Sequence, residues 1–118
     1  EYSWLPFQTP GIVAKDVLID RQVQDPFIRM SVKHGKTYTL IKIEDNGGGI
    51  APEYVERIFE PYFTTKHAKQ GTGIGLYMTK MIIENNMNGI IVVHNTPSGV
   101  LFTIKLKRFE EGVSEELI

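Results

Sequence analysis

An aspartate followed by a run of glycines is the first feature of the sequence that could do chemistry. Asp45 is followed by Asn46 and then by glycines at positions 47–49. Because glycine has no side chain, a ligand can approach the backbone of such a segment closely. A buried carboxylate accepts hydrogen bonds and donates none, which suits an exocyclic amino group such as N6 of adenine. A tight turn in which Asp45 is a local cap is the alternative interpretation of the same residues.

A second glycine-rich segment, GTGIG at residues 71–75, lies at the start of a predicted helix. The first turn of a helix presents free N–H groups and the positive end of the helix dipole, and both favour phosphate. Lys66, His67 and Lys69 lie just before the segment and could add positive charge. The glycine spacing matches neither the dinucleotide-binding fingerprint nor the P-loop. The segment therefore indicates an anion site of another kind, or else a flexible loop that leads into a helix.

Aromatic residues flank a proline between these two segments. Phe59 precedes Pro61, Phe63 follows it, and a polar loop begins directly afterwards. Such a cluster could be the hinge of a mobile lid. Core packing explains Phe59 and Phe63 equally well.

The composition excludes several classes of protein. The chain has 118 residues, of which 42% are apolar and 23% charged, which is typical of one globular domain. Its net charge of −1 lacks the basic excess of most nucleic-acid-binding proteins, so no nucleic-acid partner is expected. The absence of cysteine excludes disulfides and thiolate metal sites. No apolar run approaches the roughly 18 residues that a membrane-spanning helix needs.

Hydrophobic periodicity predicts the elements that position these motifs. Residues 1–11 contain Pro6, Pro10 and Gly11 and are predicted to form an extended or turning lead-in. Pro26 ends the helix that follows, because the residue before a proline avoids helical angles. The predicted elements are, in order, a helix at 12–24, strands at 28–33 and 37–44, a short helix from 52, a longer helix from 73–75 to 88, and strands at 90–93 and 100–106.

Alternation within the first two strands predicts which side chains face the core. Ile28, Met30 and Val32 alternate with polar residues, which is typical of a half-buried strand. On the second strand Asp45 has the same parity as Ile43, so both are predicted to point inward. Because hairpins join most strands, the predicted fold class is an α/β two-layer sandwich, with a mixed, mostly antiparallel sheet and helices on one face.

The order of the three motifs resembles the catalytic ATP-binding domain of bacterial sensor histidine kinases, within the GHKL superfamily. Residues 45–50 (DNGGGI) are similar to its first glycine box, residues 59–66 (FEPYFTTK) to its phenylalanine box, and residues 71–76 (GTGIGL) to its second glycine box. The resemblance covers roughly residues 13–107. It implies a Bergerat-type sandwich that binds ATP.

The resemblance also implies a role for individual residues. Asp45 would accept the adenine amino group, Gly49 would line the base, and Lys66 would reach a phosphate. The residues that it assigns to the nucleotide are Asp45, Gly47, Gly49, Ile50, Phe59, Lys66, Gly71, Thr72, Gly73, Gly75 and Leu76. It assigns no catalytic side chain and no metal ligand in this chain.

The resemblance implies partners as well as a cofactor. In such kinases the γ-phosphoryl group of ATP goes to a histidine on a separate helical dimerisation domain, with magnesium bridging the phosphates. A response regulator receives the phosphoryl group afterwards. The expected location is cytoplasmic, either in a free protein or as the cytoplasmic part of a membrane-anchored sensor.

The first helix departs from the family pattern. The asparagine that the family uses for magnesium falls on Val13, which offers no oxygen to a hard cation. We therefore divide the chain into an atypical lead-in at 1–12, an ATP-binding domain at 13–108 and an acidic tail at 109–118. The alternative function is a non-catalytic module that mediates protein interaction or homodimerisation. An ATPase of the same superfamily ranks last, because residues 8–12 contain no glutamate that could act as a general base.

Overall fold

The computed structural model describes residues 5–63 and 74–108, with the backbone alone for residues 5–9. In these residues four strands form one antiparallel sheet in the order β1-β2-β4-β3. The strands are β1 Ile28–His34, β2 Tyr38–Asp45, β3 Gly89–Asn95 and β4 Val100–Lys107. The helices are α1 Leu5–Asp20, α2 Pro52–Val55 and α3 Gly75–Met81, the last continued by a π-helical turn at Ile82–Asn86. The predicted α/β class is confirmed, and every described strand pairing is antiparallel.

One face of this sheet carries the hydrophobic core. The strands alternate between buried and more exposed side chains, and the buried set of β2, β3 and β4 shares one face. The core residues are Ile43, Ile83, Ile91, Val100, Phe102 and Ile104. Ile83 comes from the π-helical turn, which packs on β3. The strand β4 lies between β2 and β3 and supplies half of the core side chains.

The first helix corrects the prediction of a non-helical lead-in and a helix at 12–24. The helix α1 begins at Leu5 and ends at Asp20, with Pro10 in its interior. Pro6 falls in the first turn, where a missing N–H leaves no bond unmade. Pro10 removes an internal hydrogen bond, but it is fully buried, so packing outweighs the local rule. The division of the chain into lead-in, domain and tail stays a prediction.

The strand β1 is where the predicted burial was wrong. Its residues pair in register with β2, Met30 opposite Ile43 and Val32 opposite Ile41, so they do lie on the core face of the sheet. All seven residues of β1 are nevertheless exposed, including Met30 at 57% and Val32 at 55%. The alternation predicted the face correctly, but the described helices do not extend far enough to cover it.

The remaining helices are shorter than predicted. Pro52 opens α2 as expected, because a proline suits the first turn, but the helix ends after one turn at Val55. The longer helix starts at Gly75 and ends in the π-helical turn at Asn86, close to the predicted end at 88. No helix within the described ranges is both long enough and apolar enough to cross a bilayer.

Candidate functional site

Asp45 is the buried acidic residue at the end of β2. Its side chain lies on the core face with Ile43, as the parity predicted, and only 3% of the residue is exposed. Its Oδ1 accepts a hydrogen bond from the backbone N–H of Gly47 at 2.8 Å. An ionised carboxylate has about four acceptor positions. Asp45 therefore has capacity to accept hydrogen from a ligand as well.

Burial raises the pKa of the Asp45 carboxyl above its ordinary value of 3.8. Hydrogen bonds from the backbone N–H groups of Gly47 and Val100 oppose that rise, as does the positive charge of Arg21. None of these outweighs the loss of water around the carboxyl group. The site thus holds an acceptor that gains from meeting a hydrogen-bond donor.

Gly99, the residue immediately before β4, forms one wall of this site. A methyl group built on Gly99 would lie 2.0 Å from the carbonyl oxygen of Asp45 and 2.8 Å from its Oδ1. Gly99 is itself held in a turn, where its N–H donates to Thr96 Oγ1 at 2.9 Å and its carbonyl accepts from the Thr96 N–H at 2.8 Å. Only glycine allows the backbone to pass so close to Asp45.

The glycine segment after Asp45 packs against the end of α1. A methyl group on Gly47 would lie 2.8 Å from Val17 Cγ1, so the helix approaches the segment closely. The Arg21 guanidinium donates to the Gly47 carbonyl at 2.7 Å and more weakly to the Gly49 carbonyl at 3.4 Å. Gly48 has a φ of +87°, a conformation that side chains disfavour. The glycine content therefore has a structural cause in addition to any ligand.

The segment is fixed at its far end by Asn95, the last residue of β3. The Asn95 side chain accepts a hydrogen bond from the Ile50 N–H at 2.8 Å and donates one to the Ile50 carbonyl at 2.8 Å. The amide thus pairs with the backbone of Ile50 as a neighbouring strand would. A methyl group on Gly49 would lie 3.0 Å from Asn95 Oδ1, so a side chain there would press on this pair.

Asn46 makes the same kind of contact toward β1. Its Oδ1 accepts from the Phe27 N–H at 2.9 Å and its Nδ2 donates to the Asp25 carbonyl at 2.9 Å. The backbone of Asp25 has a φ of +49°, which an aspartate tolerates better than most residues. The two asparagines together tie residues 46–50 to both edges of the sheet.

The other predicted nucleotide residues divide into two groups. Ile50, Phe59 and Leu76 are half-buried and pack against the core, and the Phe59 ring meets the Phe102 ring edge-on at 6.4 Å. Gly75 is exposed at the start of α3. The residues that lie outside the described ranges are Lys66, Gly71, Thr72 and Gly73. Their assignment to the phosphates stays a prediction.

Sequence reasoning missed Arg21, Asn95 and Gly99. The hydrogen bonds of Arg21 and Asn95 join residues that are 26 and 45 positions apart in the chain. No local sequence pattern reports contacts at such distances. Asn95 and Gly99 lie between the predicted strands at 90–93 and 100–106, and their residue types, which are typical of turns, were the one available signal.

A magnesium ion does not fit the donor set around Val13. This residue lies on α1 and is half-buried, and its side chain has no ligand atom. Among the described residues, no cluster of three or more histidine, aspartate or glutamate side chains could hold a metal ion.

Comparison with known proteins decides the family. A family model described as histidine kinase-, DNA gyrase B- and HSP90-like ATPase matches residues 16–110. The chain belongs to this family. Relatives of the chain include two sensor proteins, so the resemblance to sensor histidine kinases is confirmed.

Two of these relatives illustrate the match. The two-component sensor PprA of Pseudomonas aeruginosa is 46% identical over 66 residues, which are 56% of this chain and 7% of the relative. The sensor protein SrrB of Staphylococcus aureus is 36% identical over 87 residues, which are 70% of this chain and 15% of the relative. The chain therefore spans a small part of the length of these sensors.

A solved structure agrees with the fold of this ATPase-family domain. The catalytic domain of histidine kinase ThkA, in a nucleotide-free form, superimposes with a TM-score of 0.63 at 26% sequence identity. The match covers 85% of this chain and 67% of the ThkA domain. By family, the chain is an ATPase domain of the histidine-kinase type.

Proposed function

We propose that this chain binds ATP as the catalytic domain of a sensor histidine kinase and presents the γ-phosphoryl group to a histidine on a separate helical dimerisation domain. A response regulator would then receive the phosphoryl group, and the domain would work in the cytoplasm. The family and the sensor relatives support this proposal. The single observation that carries it is the buried Asp45 carboxylate beside the glycine segment.

The chemistry of Asp45 explains a preference for adenine. Adenine carries an amino group at position 6, which can donate to the carboxylate. Guanine carries a carbonyl oxygen there, which would face the carboxylate as a second acceptor. A buried charged acceptor without a donor costs about 2 kcal/mol, or roughly thirtyfold in affinity.

Calorimetric titration of the chain with ATP and with GTP tests this proposal. We expect saturable ATP binding, GTP binding weaker by about thirtyfold, and an Asp45→Asn variant that loses the preference. Asp25→Asn is the matched control, because it makes the same change at an exposed aspartate. Absence of saturable ATP binding at millimolar concentration, or equal effects of the two variants, would refute the proposal.

Transfer of the phosphoryl group needs its own assay. The chain is mixed with γ-labelled ATP and the histidine-bearing dimerisation domain of a related sensor, and labelled protein is counted. Label on the dimerisation domain that requires Asp45 supports the kinase role. ATP binding without any label favours a nucleotide-binding role alone.

A second candidate function follows from β1 and Val13. The core face of β1 exposes Ile28, Met30 and Val32, and exposed apolar surface favours self-association. A non-catalytic module that dimerises through this face would need no magnesium ligand at Val13. Sedimentation that finds only monomer across a wide concentration range would remove this candidate.

A further inference from the structure

The face of the sheet opposite the core carries several basic side chains. Outward positions on the strands follow from the register, in which Lys33 lies opposite Leu40, and Leu40 opposite Lys105. The basic residues at outward positions are Arg29, Lys33, Lys42, Lys105 and Lys107. All five are exposed. We call these five residues the cationic sheet face.

Acidic residues are almost absent from the same surface. Among the outward positions of the four described strands, Glu44 is the one acid, and Arg29 lies 3.3 Å from it in a cross-strand pair. Neighbouring strands lie about 4.8 Å apart, so Lys33 and Lys105 are separated by roughly 10 Å across Leu40. This distance slightly exceeds the Debye length of about 8 Å at physiological salt, so the combined field of the lysines is screened there and grows as the salt concentration falls. The whole chain has a net charge of −1, and five of its 13 basic residues lie on this face.

Apolar side chains border the cationic sheet face on β3. Ile90 is 52% exposed and Val92 is 39% exposed, and both point outward next to β4. Leu101 lies on the same face, diagonal to Val92. Apolar side chains beside charged ones occur in protein interfaces, where an apolar core meets a polar rim.

The face does not have the features of a nucleic-acid platform. Open sheets that bind single strands stack bases on aromatic rings in the middle of the sheet. The outward positions of the described strands hold two aromatic rings, Tyr38 at the start of β2 and His94 near the end of β3, and neither lies in the middle of the sheet. The Lys105 ammonium already lies 4.0 Å from the centre of the Tyr38 ring. The lack of outward aromatic rings in the middle of the described sheet therefore favours an acidic protein over RNA or DNA.

From this arrangement we propose that the cationic sheet face docks a partner protein through an acidic surface that carries a few apolar side chains. Charge complementarity would speed the encounter and orient the partner. The apolar strip of Ile90 and Val92 would supply the dry part of the contact. This interface lies on the opposite side of the sheet from Asp45, so it is independent of nucleotide binding.

Nuclear magnetic resonance of the ¹⁵N-labelled chain tests the proposal with a defined probe. The probe is a glutamate-rich peptide that carries leucines, and its control replaces each glutamate with glutamine. We expect shift changes confined to the outward residues of the sheet, and weaker binding as NaCl rises from about 0.05 to about 0.3 M. Equal binding of the glutamine peptide, changes elsewhere on the chain, or no binding of the peptide would overturn the proposal.

Variants separate this face from net charge alone. Lys42→Glu should lower the affinity for the peptide about tenfold. Lys33→Glu replaces it if the Lys42→Glu protein does not fold. Lys15→Glu is the matched control, because Lys15 is exposed on α1 on the other side of the sheet. An equal effect of the control contradicts the proposal. So does tighter binding of oligothymidylate or of phosphatidylserine vesicles at the same residues, which would assign the face to a nucleic acid or a membrane.

Discussion

Replacement of Gly99 by alanine tests whether the site and the core are built as the structure shows. The new methyl carbon would lie 2.0 Å from the Asp45 carbonyl oxygen and 2.7 Å from its carbonyl carbon. Real Cβ atoms do not approach within 3.0 Å of such atoms, so the two backbones must separate by about 1 Å. The obstacle is backbone in a paired strand, opposite Val100, and cannot rotate away.

The cost of this change follows from the geometry. Overpacking of a core costs about 1–3 kcal/mol, and a strained strand pair adds about 1 kcal/mol for a weakened hydrogen bond. We expect Gly99→Ala to lower the free energy of unfolding by about 3 kcal/mol, out of a total of roughly 5–15 kcal/mol. The melting temperature should fall by about 10–20 °C.

Urea denaturation followed by circular dichroism measures this effect, and Gly11→Ala provides the control. Gly11 lies within α1 and has no atom within 4 Å of the added methyl group, so alanine should stabilise the helix by about 0.5–1 kcal/mol. The same chemical change thus has opposite signs at the two positions. A Gly99→Ala protein whose unfolding free energy stays within about 0.5 kcal/mol of the parent, while Gly11→Ala behaves as expected, would refute the packing described for Asp45.

Three further changes probe the site. The Asp45→Asn variant should become more stable relative to the parent as pH rises from about 4 to 7. Folding raises the pKa of the Asp45 carboxyl above 3.8, so this group stabilises the parent below pH 3.8 and loses that contribution as pH rises through its folded-state pKa. Urea unfolding at several pH values measures the difference in unfolding free energy, and a difference that does not change with pH would contradict the prediction. Asn95→Ala should lower the free energy of unfolding by about 1–2 kcal/mol and weaken ATP binding, because both hydrogen bonds to Ile50 are lost. Asn95→Asp keeps the acceptor oxygen, so urea unfolding should show a smaller loss of stability. Val13→Asn supplies an amide oxygen, so calorimetry should show tighter ATP binding with magnesium but not with chelator; no gain would mean that another defect limits binding.

The inward direction of Asp45 was predictable, whereas its surroundings were not. Side chains alternate with a period of two along a strand, so Ile43 and Asp45 had to share a face. The walls of the site come from Arg21, Asn95 and Gly99, which are distant in sequence from Asp45. Contacts of this kind depend on the tertiary fold, and no local pattern encodes them.

Two of the wrong predictions, those for α1 and β1, have different physical causes. The interior proline of α1 breaks a local rule, but burial of Pro10 supplies packing that the rule does not count. For β1, alternation identifies the face on which Met30 and Val32 lie, but burial also requires a neighbour to cover that face. Periodicity reports a side chain's direction and not what it meets.

The position of Asp45 between unequal strands has a consequence for cooperativity. Asp45 lies opposite Val100 on β4, where three of the four core-facing residues are buried, and opposite Ile28 on β1, whose residues are all exposed. Regions with few buried contacts open most easily. We therefore expect β1 to open more easily than β4, and Asp45 lies on β2, between these two strands. A ligand that binds the Asp45 carboxylate would stabilise the pairing of β1 with β2. Ligand binding would therefore be detectable as slower amide hydrogen exchange along β1.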